Sequence, residues 1–157
     1  MQKITPFLWF NHQAEEAAEF YASVFPDSKI LQVTRYGEGG PQPAGSVMTV
    51  TFELHGQKFM GLNGGPHFQF SEAISFVVDC ETQEEIDRYW EQLSDGGSEV
   101  QCGWLKDRYG LSWQIVPKQL GEWMTSDDGA ASGRVMAAIM QMTKLDIAKL
   151  QAAFEGR

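Results

Sequence analysis

One short stretch gathers the residues whose types and spacing could do chemistry: CGWLKDRYGLSWQIVP, from Cys102 to Pro117. The part after its second glycine reads as a strand that carries a single amide, Gln114. Strand alternation puts Ser112 on the same face as Gln114 and Trp113 on the opposite face. An amide both donates and accepts hydrogen bonds, which suits a neutral carbonyl, phenol or quinone. Gln114 and Ser112 are therefore candidate ligand contacts, and the alternative is a buried amide bonded to nearby backbone.

Cys102, in the same stretch, is the candidate catalytic nucleophile. A thiolate needs a nearby base or positive charge that lowers the thiol pKa, and Lys106, Arg108 and His67 are the candidate neighbours. The alternative is an inert, small apolar residue, which is how free cysteines more often behave. The one other cysteine is Cys80, so the sequence has no CxxC or Cys/His cluster and predicts no structural zinc site.

Polar and aromatic residues elsewhere complete the set of candidate ligand contacts. Ser75 lies on a predicted strand of the second half. Asn63 opens an Asn-Gly-Gly-Pro turn, which lacks the lysine and the following helix of a phosphate-binding loop. Aromatic rings can stack on a flat ligand, although aromatic residues in strands more often belong to the core. The candidates for stacking are Phe7, Trp9 and Trp104.

Charge and hydropathy exclude several classes of partner. The chain has 157 residues and a net charge of −9. Binding to nucleic acid phosphates needs clustered Lys and Arg, and binding to an anionic membrane surface needs positive charge, so neither partner is expected. The N-terminal residues do not resemble a signal peptide, and no apolar run reaches the roughly 18 residues that span a bilayer. We therefore expect a cytoplasmic protein with reduced thiols.

The elements that must position these residues follow one order twice. Hydrophobic patterns predict a helix capped by Asn11, a second helix opened by a capping box at Thr82, and strands over 4–10, 29–36, 47–54, 58–62, 73–78, 99–105 and 111–116. Both helical segments carry a Glu-Glu pair followed by an aromatic pair, which indicates a duplicated module. A helical, methionine-rich tail follows Pro117, and its apolar face has to cover something, which predicts a homodimer.

Several motifs together resemble one known group of proteins. They are Phe20-Tyr21 with Phe25-Pro26-Asp27-Ser28, then Gly61-Leu62-Asn63-Gly64-Gly65-Pro66, Ala73-Ile74-Ser75-Phe76, Cys102-Gly103-Trp104 and Asp107-Arg108-Tyr109-Gly110-Leu111-Ser112-Trp113-Gln114. With them the chain resembles the PhnB-like branch of the vicinal-oxygen-chelate (glyoxalase and bleomycin-resistance) superfamily, a branch often labelled 3-demethylubiquinone 3-methyltransferase. The resemblance implies an α+β fold of two tandem βαβββ modules, over residues 1–66 and 67–118, that form a cup-shaped curved sheet. A helical extension over 119–157 follows, and the implied assembly is usually a dimer.

The resemblance also implies positions for a metal ion, and this chain departs from them. Metal-using members take ligands from the first and last strands of each module, usually His or Glu, Glu, His and Glu. Residue by residue, these positions fall at 4–6, at Met60 or Asn63, at Ala73 and at Gln114. This set lacks the N and O donors that a divalent ion prefers, and His67 and His55 read as loop or turn residues. We expect no metal and no other cofactor.

The function that follows is a metal-free protein of this fold that binds, or acts on, a small carbonyl- or quinone-like molecule in the cup. One alternative is a methyltransferase that uses S-adenosylmethionine, which is weakened because no glycine-rich strand-to-helix turn with a downstream acidic residue is present. Another is a metal-dependent lyase, isomerase or dioxygenase, which the missing ligands oppose. The last is a resistance protein that sequesters a cationic drug in an acidic cup.

Overall fold

The computed structural model describes all 157 residues, which form two compact units. The first unit runs from Met1 to Gln69 and the second from Phe70 to Arg157. Each unit contains a four-stranded sheet, and the strand order is the same in both: the first strand of the unit lies beside the fourth, followed by the third and then the second. The duplication that the sequence predicts is therefore present in the topology.

The first unit contains one helix and one sheet. Its elements are β1 (Phe7–Phe10), α1 (Ala14–Val24), β2 (Lys29–Arg35), β3 (Val47–Leu54) and β4 (Gln57–Asn63). β1 runs parallel to β4, and the other neighbouring strands are antiparallel. This is the βαβββ module that the resemblance implies.

Strand alternation divides the first sheet into a face covered by α1 and an opposite face. Val50, Phe52 and Leu54 of β3 are buried, whereas the residues between them are half-exposed. The Phe52 ring stacks on that of Tyr21 from α1, with ring centroids 6.3 Å apart. Burying such side chains contributes roughly 1.5–3 kcal/mol each. The strand predicted over residues 47–54 is confirmed, and its burial alternates with period two.

The start of α1 differs from the prediction that Asn11 caps it. The N-cap position belongs to Gln13, whose side chain makes no capping hydrogen bond. The backbone N–H of Ala14 instead donates to the Asn63 Oδ1 atom at 2.8 Å. The cap comes from the end of β4, 49 residues away along the chain. Local sequence therefore placed the helix correctly but named the wrong cap.

The second unit repeats the module and adds three helices. Its elements are β5 (Ser75–Cys80), α2 (Gln83–Ser94), β6 (Ser98–Glu99), β7 (Trp104–Lys106), β8 (Ser112–Pro117), α3 (Leu120–Met124), α4 (Gly129–Ile139) and α5 (Ile147–Glu155). β5 runs parallel to β8, as β1 does to β4. Thr82 is confirmed as the N-cap, because its side-chain oxygen accepts from the Glu85 N–H at 3.1 Å. The reciprocal bond of the predicted capping box differs, because the Glu85 carboxylate accepts from the Glu81 N–H at 3.3 Å instead of from that of Thr82.

The single strand predicted over 99–105 is wrong, because the chain leaves the sheet between β6 and β7. The backbone N–H groups of Cys102 and Gly103 donate to the carbonyl oxygens of Met142 and Thr143 in the tail, each at 2.8 Å. Cys102 takes a left-handed backbone conformation, with φ of +65°. The tail thus supplies acceptors that a sheet neighbour would otherwise provide.

The C-terminal helices belong to the second unit, where they build a small core of their own on the end of β8. Gln83 ties this segment to the start of α2: its Nε2 donates to Leu145 O at 3.1 Å, and its Oε1 accepts from Ile147 N at 2.8 Å. The buried residues of the core are Val116, Trp123, Val135, Ile139, Leu145 and Leu150. None of the helices of the chain combines the length and apolarity needed to cross a membrane.

The predicted α+β class and the tandem βαβββ modules are confirmed. The predicted boundary after residue 66, a separate extension over 119–157 and the cup stay predictions.

Candidate functional site

The candidate polar residues of the second unit lie together on the sheet face opposite α2, which we call the open face. It carries Ser75, Val77, Trp104, Lys106, Ser112 and Gln114. The Gln114 Nε2 atom donates to the Ser75 Oγ atom at 2.9 Å. Two residues that the sequence nominated separately are thus one hydrogen-bonded pair. Ala73, the position that the resemblance gave for a histidine, lies in the turn before β5.

Two rows of residues cross the open face. Lys106, Ser112 and Ser75 are neighbours in register across β7, β8 and β5, and form a polar row. One step further along, Trp104, Gln114 and Val77 form a second row, in which the amide is flanked by an indole and an aliphatic side chain. Trp104 is half-buried, and Val77 is 54% exposed. The open face therefore offers polar groups beside an apolar platform.

The buried carboxylate of Asp107 holds β8 in register from the sheet face that α2 covers. Trp113 is 3% exposed, and its Nε1 atom donates to the Asp107 Oδ2 atom at 2.9 Å. Asp107 Oδ1 accepts from the backbone N–H groups of Tyr109 and Leu111, at 2.8 and 3.0 Å. Asp107 thereby closes the turn and fixes Trp113 on the covered face, and strand alternation then sends Gln114 to the open face.

Ser112 is the unusual member of the polar row. The residue is 1% exposed, and its hydroxyl oxygen has no hydrogen-bond partner. Most buried polar side-chain atoms in proteins are paired, and an unpaired one destabilises the fold by about 1–3 kcal/mol. An orphaned hydroxyl next to Lys106 and Ser75 is the kind of group that a ligand satisfies.

Lys106 is a member of the site that sequence reasoning considered only as a neighbour for Cys102. Its ammonium forms an ion pair with the carboxylate of Glu72, in the turn before β5. The hydrogen bond and charge of Lys106 lower the pKa of Glu72. Both side chains are partly exposed, 39% for Lys106 and 55% for Glu72. The sequence does not reveal the register of β7 against β8. With that register, Lys106 would have been placed opposite Ser112 and on the same sheet face.

The candidate ligand contacts of the first unit are Trp9, Asn63 and Phe7. The side chains of Trp9 and Asn63 make hydrogen bonds within the unit, whereas Phe7 is largely exposed. The Trp9 indole donates to Gly65 O at 2.9 Å, meets the ring of Phe68 edge-on, and lies so close to Gly64 that a Cβ there would be 2.3 Å from the indole ring. The Asn63 amide caps α1 and donates to the Val47 carbonyl at 3.2 Å. Phe7, by contrast, is 53% exposed.

Cys102 lies among the apolar residues of the tail core rather than on the open face. It is half-buried and packs against the cluster formed by the C-terminal helices. The two cations considered as its activators have other partners, since Lys106 pairs with Glu72 and Arg108 with Asp95. His67 belongs to the other unit. Lys106 and Arg108 are therefore engaged elsewhere, and the catalytic role of Cys102 stays a prediction.

The site residues do not fit a divalent metal ion. Gln114 and Ser75 lie on the open face, on the parallel strands β8 and β5. Neither side chain supplies the imidazole or carboxylate that such an ion prefers. In the first unit the corresponding parallel strands present Phe7, Met60 and Leu62. No group of three or more His, Cys, Asp and Glu side chains is arranged to hold a metal.

Comparison with solved structures defines the class of this fold. A fosfomycin resistance protein, FosX, from Listeria monocytogenes, solved with Mn(II) and sulfate, aligns with a TM-score of 0.54 at 13% identity, over 78% of this chain and 94% of that one. A Pseudomonas aeruginosa protein aligns with a TM-score of 0.62 at 20% identity, over 75% and 98%. The chain has the glyoxalase and bleomycin-resistance fold.

The family follows from two further comparisons. The family model described as 3-demethylubiquinone-9 3-methyltransferase matches residues 2–116. The PhnB protein of Bacillus cereus is 42% identical, with a TM-score of 0.68 over 74% of this chain and 99% of that one. The chain therefore belongs to the 3-demethylubiquinone-9 3-methyltransferase (PhnB) family, as the sequence motifs indicated. No curated protein matches it. The helices α3 to α5 lie beyond the matched residues.

Proposed function

We propose that this protein binds a small molecule with a carbonyl or quinone oxygen on the open face of the second sheet, without a metal ion. The observation that carries the proposal is the Gln114–Ser75 hydrogen bond beside the unpartnered hydroxyl of Ser112. The fold supports a small-molecule site but does not name the ligand, because one fold hosts many functions.

The donors and acceptors of Gln114 and Ser75 that remain free beside their mutual hydrogen bond determine which class of ligand can bind. Gln114 uses one N–H on Ser75, which leaves its other N–H as a donor and its Oε1 as an acceptor. The Ser75 hydroxyl accepts that bond and keeps its own proton to donate. A carbonyl oxygen accepts from these donors, and a neighbouring hydroxyl or enol would donate to Oε1. Trp104 and Val77, on either side of Gln114, suit an apolar or flat ligand body.

The proposed binding does not involve a metal ion, because Gln114 and Ser75 supply only an amide and a hydroxyl as possible ligands. An amide and a hydroxyl are weak ligands for a divalent ion compared with imidazole and carboxylate. Elemental analysis of dialysed protein should find well below one transition-metal ion per chain. A retained equivalent of Zn, Mn, Ni or Fe would overturn this part of the proposal.

Methyl transfer, which the family name describes, is not part of the proposal. The polar and apolar rows of the open face recognise a carbonyl-bearing body, and the sequence has no nucleotide-binding turn to hold S-adenosylmethionine. Sequestration of a cationic drug is the other alternative, and it predicts binding driven by carboxylates instead of by Gln114. Both alternatives enter the test below as competing outcomes.

The test is a thermal-shift screen with three variants of the full chain. A ligand that binds the folded state raises its melting temperature. The panel contains quinone analogues, aryl ketones, bleomycin and S-adenosylmethionine. Gln114→Ala removes the amide of the site. Gln92→Ala is the matched control, because Gln92 is an exposed amide on α2, away from the open face. Trp104→Ala tests the apolar row.

The proposal predicts that a quinone or ketone raises the melting temperature of the wild type and the control, and that Gln114→Ala abolishes the shift. A shift from S-adenosylmethionine alone would favour methyl transfer, and a shift from bleomycin alone would favour sequestration. Equal shifts for Gln114→Ala and the control would show that the ligand binds elsewhere and would refute the proposal.

A further inference from the structure

Lys106, which forms an ion pair with Glu72, is paired in register with Ser112, whose hydroxyl has no hydrogen-bond partner. We propose that the ligand of the open face is an anion, and that its carboxylate replaces Glu72 on Lys106 and takes the hydrogen bond of Ser112. This inference rests on the proposed function and narrows its ligand class, from a carbonyl compound to an aryl or alkyl oxo acid.

Register places the two donors together. Lys106 and Ser112 are Cα partners across β7 and β8, and both side chains belong to the open face. The Cα of Ser75 lies on the other side of Ser112. Side chains of directly opposed residues are close enough to act on one group. An ammonium and a hydroxyl that extend from opposed positions on one sheet face can both bind the oxygens of one carboxylate.

The unpartnered hydroxyl supplies an independent reason to place a ligand here. Ser112 is 1% exposed and has no hydrogen-bond partner among the groups of the protein. A ligand therefore has to displace something to reach it. The ion pair of Lys106, the residue opposite Ser112, is partly exposed, and displacing it costs little because exposed ion pairs contribute little to stability.

In the absence of a ligand, the Glu72 carboxylate takes the place on Lys106 that the ligand carboxylate would occupy. Glu72 lies in the turn before β5, outside the regular sheet. The chain carries a net charge of −9, so much of the protein surface would repel an anionic ligand. A single lysine held in place beside a hydroxyl gives such a ligand one favourable point of attachment.

The spacing of the two rows gives the ligand a length. Ser112 and Gln114 are two residues apart on β8, which separates the polar row from the row of Trp104 and Val77 by about 6.6 Å. A ligand that places a carboxylate on the first row and a flat body on the second needs a short linker between them. 4-Oxo-4-phenylbutanoate has a carboxylate, a carbonyl and an aryl ring in this arrangement.

The experiment is calorimetric titration of the full chain with 4-oxo-4-phenylbutanoate and with its neutral methyl ester. Lys106→Gln removes the cation, and Glu72→Gln removes the competing carboxylate. Lys118→Gln and Glu81→Gln are matched controls, because Lys118 and Glu81 form another partly exposed ion pair in the same unit. Melting temperatures of all variants confirm folding.

Loss of a charge-assisted contact should weaken binding of the acid to Lys106→Gln by about tenfold or more, and removal of the competitor should tighten its binding to Glu72→Gln by several-fold. The ester should bind the variants as it binds the wild type, and the control variants should match the wild type.

Each other result counts against the inference. If acid and ester bind equally and Lys106→Gln changes neither affinity, the ligand is not held by its charge, and the proposed function stands without this refinement. If the controls shift the affinity for the acid as much as the test variants do, the effect is long-range charge and the site is wrong. If neither compound binds, the refinement and the carbonyl-binding function both fail for this ligand class.

Discussion

Removal of the Asp107 carboxylate should destabilise the second unit strongly. Its two oxygens accept from the Trp113 indole at 2.9 Å and from the backbone N–H groups of Tyr109 and Leu111 at 2.8 and 3.0 Å. Leu111 and Trp113 are each 3% exposed, so at least two donors would be left buried and unpaired in Asp107→Ala. Each such donor costs about 1–3 kcal/mol, which gives about 2–6 kcal/mol in total.

A loss of this size is a large part of the about 5–15 kcal/mol by which a domain is usually stable. Urea unfolding followed by circular dichroism measures the change in the free energy of unfolding. Asp107→Asn keeps one acceptor oxygen and should lose less, about 1–3 kcal/mol. Asp79→Asn, at an exposed position on β5, is the control and should stay within about 0.5 kcal/mol of the wild type.

An Asp107→Ala variant whose free energy of unfolding lies within about 1 kcal/mol of the wild-type value would contradict this prediction. That result would mean that water reaches the three donors, and that the turn does not depend on the carboxylate. The register of β8, and with it the assignment of Gln114 to the open face, would then need another explanation.

Three other predictions concern the tail, the thiols and the assembly. Gln83→Ala removes two hydrogen bonds from α2 to the tail and leaves the Lys144–Asp87 ion pair in place, so amide hydrogen exchange over residues 145–157 should speed up while the β3 amides stay protected. Burial, reinforced by the charges of Glu85 and Asp79, raises the pKa of Cys80 from 9.0 to about 12. Cys80 should therefore react with a thiol reagent at pH 8 only after denaturation. The unfolded chain releases this proton first as the pH rises from 9 to 12, so stability should fall over that window, and less so in Cys80→Ala. The expected homodimer should give twice the chain mass in sedimentation equilibrium at micromolar concentration; a monomer would contradict it.

The sequence predicted those elements whose signals are local. The alternation of β3 is carried by neighbouring residues, and so is the N-cap of α2, in which Thr82 and Glu85 are three positions apart. The duplication was readable because the two helices repeat the same order of acidic and aromatic residues. Local signals therefore sufficed for the order of elements and the duplication, and the family resemblance supplied the fold class.

The features that were missed depend on distant parts of the chain. The cap of α1 comes from Asn63, 49 residues away, and the break between β6 and β7 comes from hydrogen bonds of Cys102 and Gly103 to the tail. No local pattern encodes such contacts, because the same residues would form a regular cap or strand if the distant partner were elsewhere.

The candidate site shows the same division. Gln114 and Ser112 were found from the sequence because alternation places them on one face. Their relation to Ser75 and Lys106 needed the parallel and antiparallel registers of β8, which the sequence leaves open. The ion pair of Lys106 with Glu72 also needed the position of the turn before β5.

The most direct test of the central claim is a heteronuclear NMR titration that observes the side-chain amide of Gln114. The resonance is assigned by its loss in Gln114→Ala, and the titrant is the methyl ester of 4-oxo-4-phenylbutanoate, whose carbonyl tests the neutral part of the site. We expect the Gln114 side-chain signal and the backbone signals of Ser75 and Ser112 to shift together and saturate, while the side-chain signal of Gln92 on α2 stays unchanged. Saturable shifts confined to residues away from β5 and β8, with the Gln114 amide unmoved, would contradict the claim that the open face is the binding site.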